Sequence, residues 1–160
     1  MTIATKTITP EQRLAQLGIV LPAVSVPRGN FDAYVLDGGL LYLSGKGSPL
    51  REDVAIVPKV GREITAEEAR QHARTVGLHL IATMQAALGN LSRVRRVVKV
   101  LGMVNATPDF MQHTEVVNGC SDLLVEVFGD AGRHARSAVG VGSLPRGFAV
   151  EIEAIVSVKD

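Results

Sequence analysis

The sequence predicts an α+β fold: a mixed β-sheet of about six strands with two helices packed on one of its faces, preceded by a short helix. Three observations carry this expectation. Strand-like and helix-like periods follow one another as β-β-α-β-α-β-β behind the first helix. The two long helices carry start and stop signals. The last strand alternates apolar and polar residues, so only one face of the sheet reads as core.

Thr9-Pro10-Glu11 opens the first helix, with Thr as N-cap and Pro at the first helical position. Leu14 and Leu17 form its apolar stripe, and Gly18 ends it. An extended segment with Pro22 and Pro27 follows. Residues 33–36 and 40–44 are two short apolar runs joined by Asp37-Gly38-Gly39, a sequence suited to the positive φ angles of a tight hairpin. Ser44-Gly45-Lys46-Gly47 reads first as a loop turn, although its glycines would also let another strand or a ligand approach closely. Residues 51–61 read as a surface loop, with a short strand at 55–57.

Thr65-Ala66-Glu67-Glu68 is a capping box. It starts a long helix with Ala69, Ala73, Val76, Leu80, Met84 and Ala87 on one stripe, closed by Gly89-Asn90. Residues 94–104 are rich in β-branched side chains and read as a strand. Thr107-Pro108-Asp109 repeats the Thr-cap, Pro-first signal and predicts a second helix with Phe110, Val117, Leu124 and Phe128 on one side, ending at Gly129. His113, Glu115, Asn118 and Asp122 occupy its polar side. Residues 138–141 read as a strand, 144–147 as a turn, and 149–158 as the last strand. In that strand Val150, Ile152, Ala154 and Val156 point one way, and Glu151, Glu153, Ile155 and Ser157 the other. A face that mixes Ile155 with two glutamates is not ordinary core, so the expectation is an oligomer whose interface covers it.

Length and composition set the outer limits. The chain of 160 residues fits one domain over 1–160, with 1–21 as an N-terminal helical extension. Hydrophobic residues make up 46% and exclude a disordered chain, while aromatics at 4% leave a core of Val, Leu, Ile and Ala. A formal net charge of +1 argues against a nucleic-acid partner. Arg93, Arg95 and Arg96 have no interleaved aromatics to stack bases and read as a solvated strand edge. Cys120 is the one cysteine, so neither an intrachain disulfide nor a multi-cysteine metal site can form. No signal-peptide core and no apolar stretch of about 20 residues is present, which gives the expectation of a soluble cytoplasmic protein without a membrane partner.

Several candidate sites fall away on their chemistry. His72 and His79 share a helix without a third ligand, so no metal site is expected. No dinucleotide fingerprint, P-loop or nucleophile elbow is present, and no cofactor is expected. Cys120 sits among Val117 and Leu124 and reads as a small buried hydrophobe. His134 is either a general base or an exposed turn residue. Arg136 and Glu151 remain: each lies on a strand, and the intervening turn suggests antiparallel neighbours. Arginine offers a planar fork of donors to a carboxylate, and glutamate can deprotonate a water. Spacing alone does not separate that reading from a structural salt bridge.

Ala135-Arg136-Ser137-Ala138-Val139, then Leu144-Pro145, then Val150-Glu151-Ile152-Glu153-Ala154-Ile155, resembles the C-terminal signature of the Rid (reactive intermediate deaminase) family, also labelled YjgF-like or L-PSP endoribonuclease. Ser44-Gly45 after the first hairpin is similar as well, and the resemblance spans roughly 22–158. It implies a chorismate-mutase-like fold and a homotrimer with ligand clefts between subunits. It implies hydrolysis of reactive 2-imino or enamino acids to 2-oxo acids and ammonia. Arg136 would clamp the substrate carboxylate, Glu151 would hold the attacking water, and the Ala138 backbone, Gly45 and Phe31 would line the pocket. The partner is thus a small carboxylate-bearing metabolite. The chain departs from the family pattern in three places. Phe31 stands for a tyrosine, Ala138 for a cysteine, and Lys46-Gly47-Ser48-Pro49 follows Ser-Gly where Gln-x-Pro is usual. A non-catalytic carboxylate-binding protein is therefore the alternative to a deaminase; an endoribonuclease fits the charge and aromatic content poorly.

Overall fold

Gly38 and Gly39, with φ of 56° and 77°, close the first hairpin in the turn form that matches strand twist. They join β1 (Tyr34–Asp37) to β2 (Leu40–Gly47) in the computed structural model, which describes residues 8–50 and 56–160. Before the hairpin comes α1 (Pro10–Gln16), whose N-cap Thr9 and Gln12 form a reciprocal capping box. Then follow α2 (Ala66–Leu88), β3 (Val94–Asn105), α3 (His113–Phe128), β4 (Ala135–Val141) and β5 (Val150–Val158). Thr65 and Glu68 cap α2 at its start, and Gly89 ends it in the left-handed conformation.

The strands form one five-stranded sheet in the order β1-β2-β5-β3-β4. The pairing of β3 with β4 is parallel and the rest are antiparallel. The expected fold class stands, with five strands in place of about six. Of the short strand expected at 55–57, Ala55 lies outside the described residues, and Ile56 and Val57 are exposed and unpaired by any strand.

Both long helices lie on one face. Sheet residues Val100, Val104, Ile152, Ala154 and Val156 pack there against Val76, Leu80, Val117 and Leu124, all within one hydrophobic cluster. Cys120 is fully buried in that cluster, and burial pushes its thiol up to about 12. Leu14 joins the cluster from α1, and Glu11 accepts the Leu91 N–H at 2.7 Å. Leu17 does not reach the core. On the opposite face Val35, Tyr42 and Val139 are exposed, beside half-buried Leu101, Met103 and Ile155. No helix among the described residues is long and apolar enough to cross a membrane.

Two expectations need correction. Thr107-Pro108 does not start α3. Thr107 donates its N–H to Val60 O and Val60 donates to Asn105 O, which holds the chain extended there. Residues 107–110 then make a single turn, and the helix begins at His113 with no side-chain cap. The second correction concerns β4 and β5, which are not neighbours. β3 lies between them, because α3 returns the chain parallel to β3 on its outer side. The link from Val141 to Val150 is long enough to step over the end of β3, where Asn105 donates to Ala149 O.

Candidate functional site

Strand pairing fixes where Glu151 points. It lies opposite Met103 and Gly47, on the bare face of the sheet. Between Leu43 and Lys46 the register of β2 against β5 slips, so Ser44-Gly45 is a bulge within a continuing strand rather than a loop turn. Gly45 brings its backbone against the Glu151 side chain: a Cβ at Gly45 would run into the carboxylate oxygen. Burial, and then the charge of Glu153, raises the Glu151 carboxyl above the usual range. A glutamate held this way is a better base near neutral pH than an exposed one.

β1 leaves the edge of β2 free beyond Ser44, whose N–H still donates to Ala33 O. Residues 25–28 and Phe31 share with β2 the lining of a cleft of about 570 Å³ walled also by Gly45, Lys46, His79, Phe148 and Glu151. Arg28 and Arg146 also line it. The cleft therefore gathers three basic side chains, Arg28, Lys46 and Arg146, around one carboxylate, a field suited to an anionic ligand. Lys46 lies opposite Ile152, so its side chain faces the helices, where α2 supplies His79. Only 8% of Lys46 is exposed, and burial lowers its ammonium pKa. Burial and then the Lys46 charge lower His79 as well. Arg146 adopts φ of 55°, a left-handed conformation that costs a non-glycine residue about 1 kcal/mol. Its guanidinium sits 5.9 Å from the centre of the Phe148 ring.

Arg136 stands elsewhere. It lies opposite Val100 on β3, and Val100 lies opposite Ala154 on β5. Two strand spacings across and three residues along separate it from Glu151, each about 10 Å. The odd offset also puts the two on opposite faces of the sheet. Arg136 faces α3, where Nη1 donates to Asn118 Oδ1 at 2.8 Å and to Ser121 Oγ at 3.0 Å. His134 continues the chain, with Nε2 3.0 Å from Ser121 Oγ and Nδ1 2.6 Å from Gly132 O. A carbonyl only accepts, so Nδ1 carries the proton and Nε2 accepts from Ser121. Burial, and to a lesser degree the Arg136 charge, lowers the His134 pKa and favours this neutral form. Among the described residues, Nε and Nη2 of Arg136 make no hydrogen bond. That edge is the one that grips a carboxylate with two parallel bonds.

The fold thus gathers Phe31, Gly45 and Glu151 in one cleft, while Arg136 and Ala138 lie on the helix side of β4. The anchoring role of Asn118 and Ser121 was not expected from the sequence. Their i, i+3 spacing on α3 was the available signal, but it gains meaning only once the facing strand is known. Lys46 already favoured carboxylate binding in the sequence, but His79 and Arg146 were not expected beside it, because their meeting depends on the fold that joins α2 and residues 145–148 to the bulge. Among the described residues no three His, Cys, Asp or Glu side chains cluster as metal ligands.

Known proteins agree with this fold. The family model "YjgF/chorismate mutase-like, putative endoribonuclease" matches residues 11–148. Protein TCP17 of Trypanosoma cruzi is 43% identical over 148 residues, covering 92% of each chain. A protein of unknown function from Agrobacterium tumefaciens is 39% identical, with a TM-score of 0.82 over 94% of this chain and 92% of that one. A "putative endoribonuclease" of Shewanella oneidensis MR-1 is 31% identical, with a TM-score of 0.86 over 94% and 99%. The chain belongs to the YjgF/chorismate mutase-like family, the Rid family that its C-terminal strands resemble.

Proposed function

We propose that this protein binds small carboxylate-bearing metabolites in clefts between the subunits of a homotrimer, and there hydrolyses reactive 2-imino and enamino acids to 2-oxo acids and ammonia. The observation that carries the reading is the separation of its two key groups. Arg136 offers a free Nε–Nη2 edge on one face of the sheet, and Glu151 a half-buried carboxylate on the other. One chain cannot bring both to one small ligand, but two neighbouring chains can. A contact that joins two different patches of the same chain is head-to-tail, and closes into a ring when the rotation allows. The exposed apolar side chains Val35, Tyr42 and Val139 supply area for such a contact.

In the proposed reaction Arg136 of the partner subunit holds the substrate carboxylate. Glu151 takes a proton from a bound water as the water oxygen bonds to the C=N carbon. The imine nitrogen gains that proton, giving a carbinolamine; its hydroxyl proton then passes to the nitrogen as the C–N bond breaks, so ammonia leaves and a 2-oxo acid remains. An enamino acid first takes a proton on carbon to become the imine. Such intermediates arise on pyridoxal-phosphate enzymes, and the cytoplasm is the proposed setting of the activity. The cleft volume and the net charge of +1 suit a metabolite better than a phosphate backbone.

A second reading is favoured by Phe31, which puts a ring without a hydroxyl into the cleft. In that reading the protein binds carboxylates and does not turn them over. The test is ammonia and 2-oxo acid release from imino acids generated in solution. The deaminase reading expects a rate above the spontaneous one, lost in Arg136→Ala. An unchanged rate for several imino acids refutes it, and calorimetric binding of 2-oxo acids in the same protein then supports the second reading.

A further inference from the structure

The geometry points to a second anion subsite, formed by Lys46 with His79 and Arg146, that makes the preferred ligand a dicarboxylic 2-oxo or 2-imino acid rather than a monocarboxylic one. The inference rests on the proposal that the first carboxylate is held by Arg136 of the partner subunit.

Its basis is an imbalance inside the cleft. Lys46 is nine-tenths buried, yet among the described residues its ammonium makes no hydrogen bond and no ion pair. Glu151, the one carboxylate of the cleft, is not within ion-pair reach of it. What is buried is chiefly the Lys46 stem; the ammonium meets the cleft with no protein partner, and an anionic ligand group there would complete it. Its lowered pKa reflects that same loss of water. His79 approaches from α2 as a further donor, and Arg146 holds its cation at the cleft wall from a strained backbone position. Phe31 and Phe148 supply apolar walls, and Arg28 adds a further cation to the lining. A ligand whose far end is methyl would leave Lys46 as it is. A ligand whose far end is carboxylate would give it a charge-assisted hydrogen bond.

Calorimetric titration of the full chain with 2-oxobutyrate and 2-oxoglutarate, at one pH and one ionic strength, tests this. The expected result is tighter binding of 2-oxoglutarate by about tenfold or more. In Lys46→Met the ratio of the two affinities should fall to within about twofold of one. Lys46→Gln makes the same comparison with an uncharged polar side chain if the methionine variant does not fold. Arg146→Gly should reduce the preference in part. Equal binding of the two acids by the unaltered protein, or a preference that survives loss of Lys46, overturns the inference. If 2-oxobutyrate binds and Arg136→Ala abolishes that binding, such a failure leaves the proposed function standing. If neither acid binds, both fail together.

Discussion

Ser121 sets the direction of the hydrogen-bond chain that holds Arg136. Its oxygen accepts from the guanidinium, and with His134 neutral and carrying its proton on Nδ1 the hydroxyl donates to Nε2. Protonating His134 would make Nε2 a donor, turn the Ser121 proton away and put a cation beside Arg136. The His134 pKa is depressed, so the stability it contributes is present above about 6.5, its usual unfolded value, and is lost as pH falls below that. Affinity for a 2-oxo acid should weaken through the same range, and His134→Ala should remove that pH dependence. Titrations between pH 5 and 8 would check this. Glu151 behaves in the opposite sense. Its raised pKa makes the folded state hold its proton longer than the unfolded chain, so its contribution to stability is present below about 4.3, the ordinary glutamate value, and declines as pH rises above it. Glu151→Gln should therefore abolish hydrolysis while leaving the melting temperature near pH 7 equal or higher. If the unaltered protein hydrolyses imino acids as proposed, the acid limb of its rate profile should lie above about 4.3, the ordinary glutamate value.

At the scale of elements, local signals carried far. The capping boxes at Thr9 and Thr65, the glycine pair in the hairpin and the strict alternation of β5 are each short-range chemistry, and each element stands where its signal lies. Strand order is a long-range property, and there the reading failed. The turn before β5 resembled a hairpin, yet the chain steps over β3. The faces of β4 were also hard to read. Its Ala135, Ser137, Ala138 and Gly140 are small, and an edge strand shows no clear burial rhythm. Arg136 and Glu151 were therefore legible as individual residues but not as members of opposite faces. The first helix has a clear role. Leu14 is 6% exposed in the core and Glu11 satisfies the Leu91 N–H. Leu14→Ala should lower the unfolding free energy by about 2–3 kcal/mol. Denaturant unfolding measures that loss, and 2-oxo acid affinity should change less than about twofold because α1 is remote from the cleft.

At the scale of the whole molecule, one feature organises the rest: the sheet has a covered face with the arginine and a bare face with the glutamate. A closed ring of copies would bury the bare face and bring the two groups together. Sedimentation should then give a mass near three times that of the chain, and Ile155→Lys, which places a charge on the bare face beside Tyr42, should reduce it. Mixed assemblies test the shared site most directly. Arg136→Ala and Glu151→Gln chains, each inactive alone, are unfolded together in equal amounts and refolded. A site built between chains restores about one intact cleft in four by random association, and imino acid hydrolysis returns to about a quarter of the unaltered rate. A mixture as inactive as either parent would contradict the shared site.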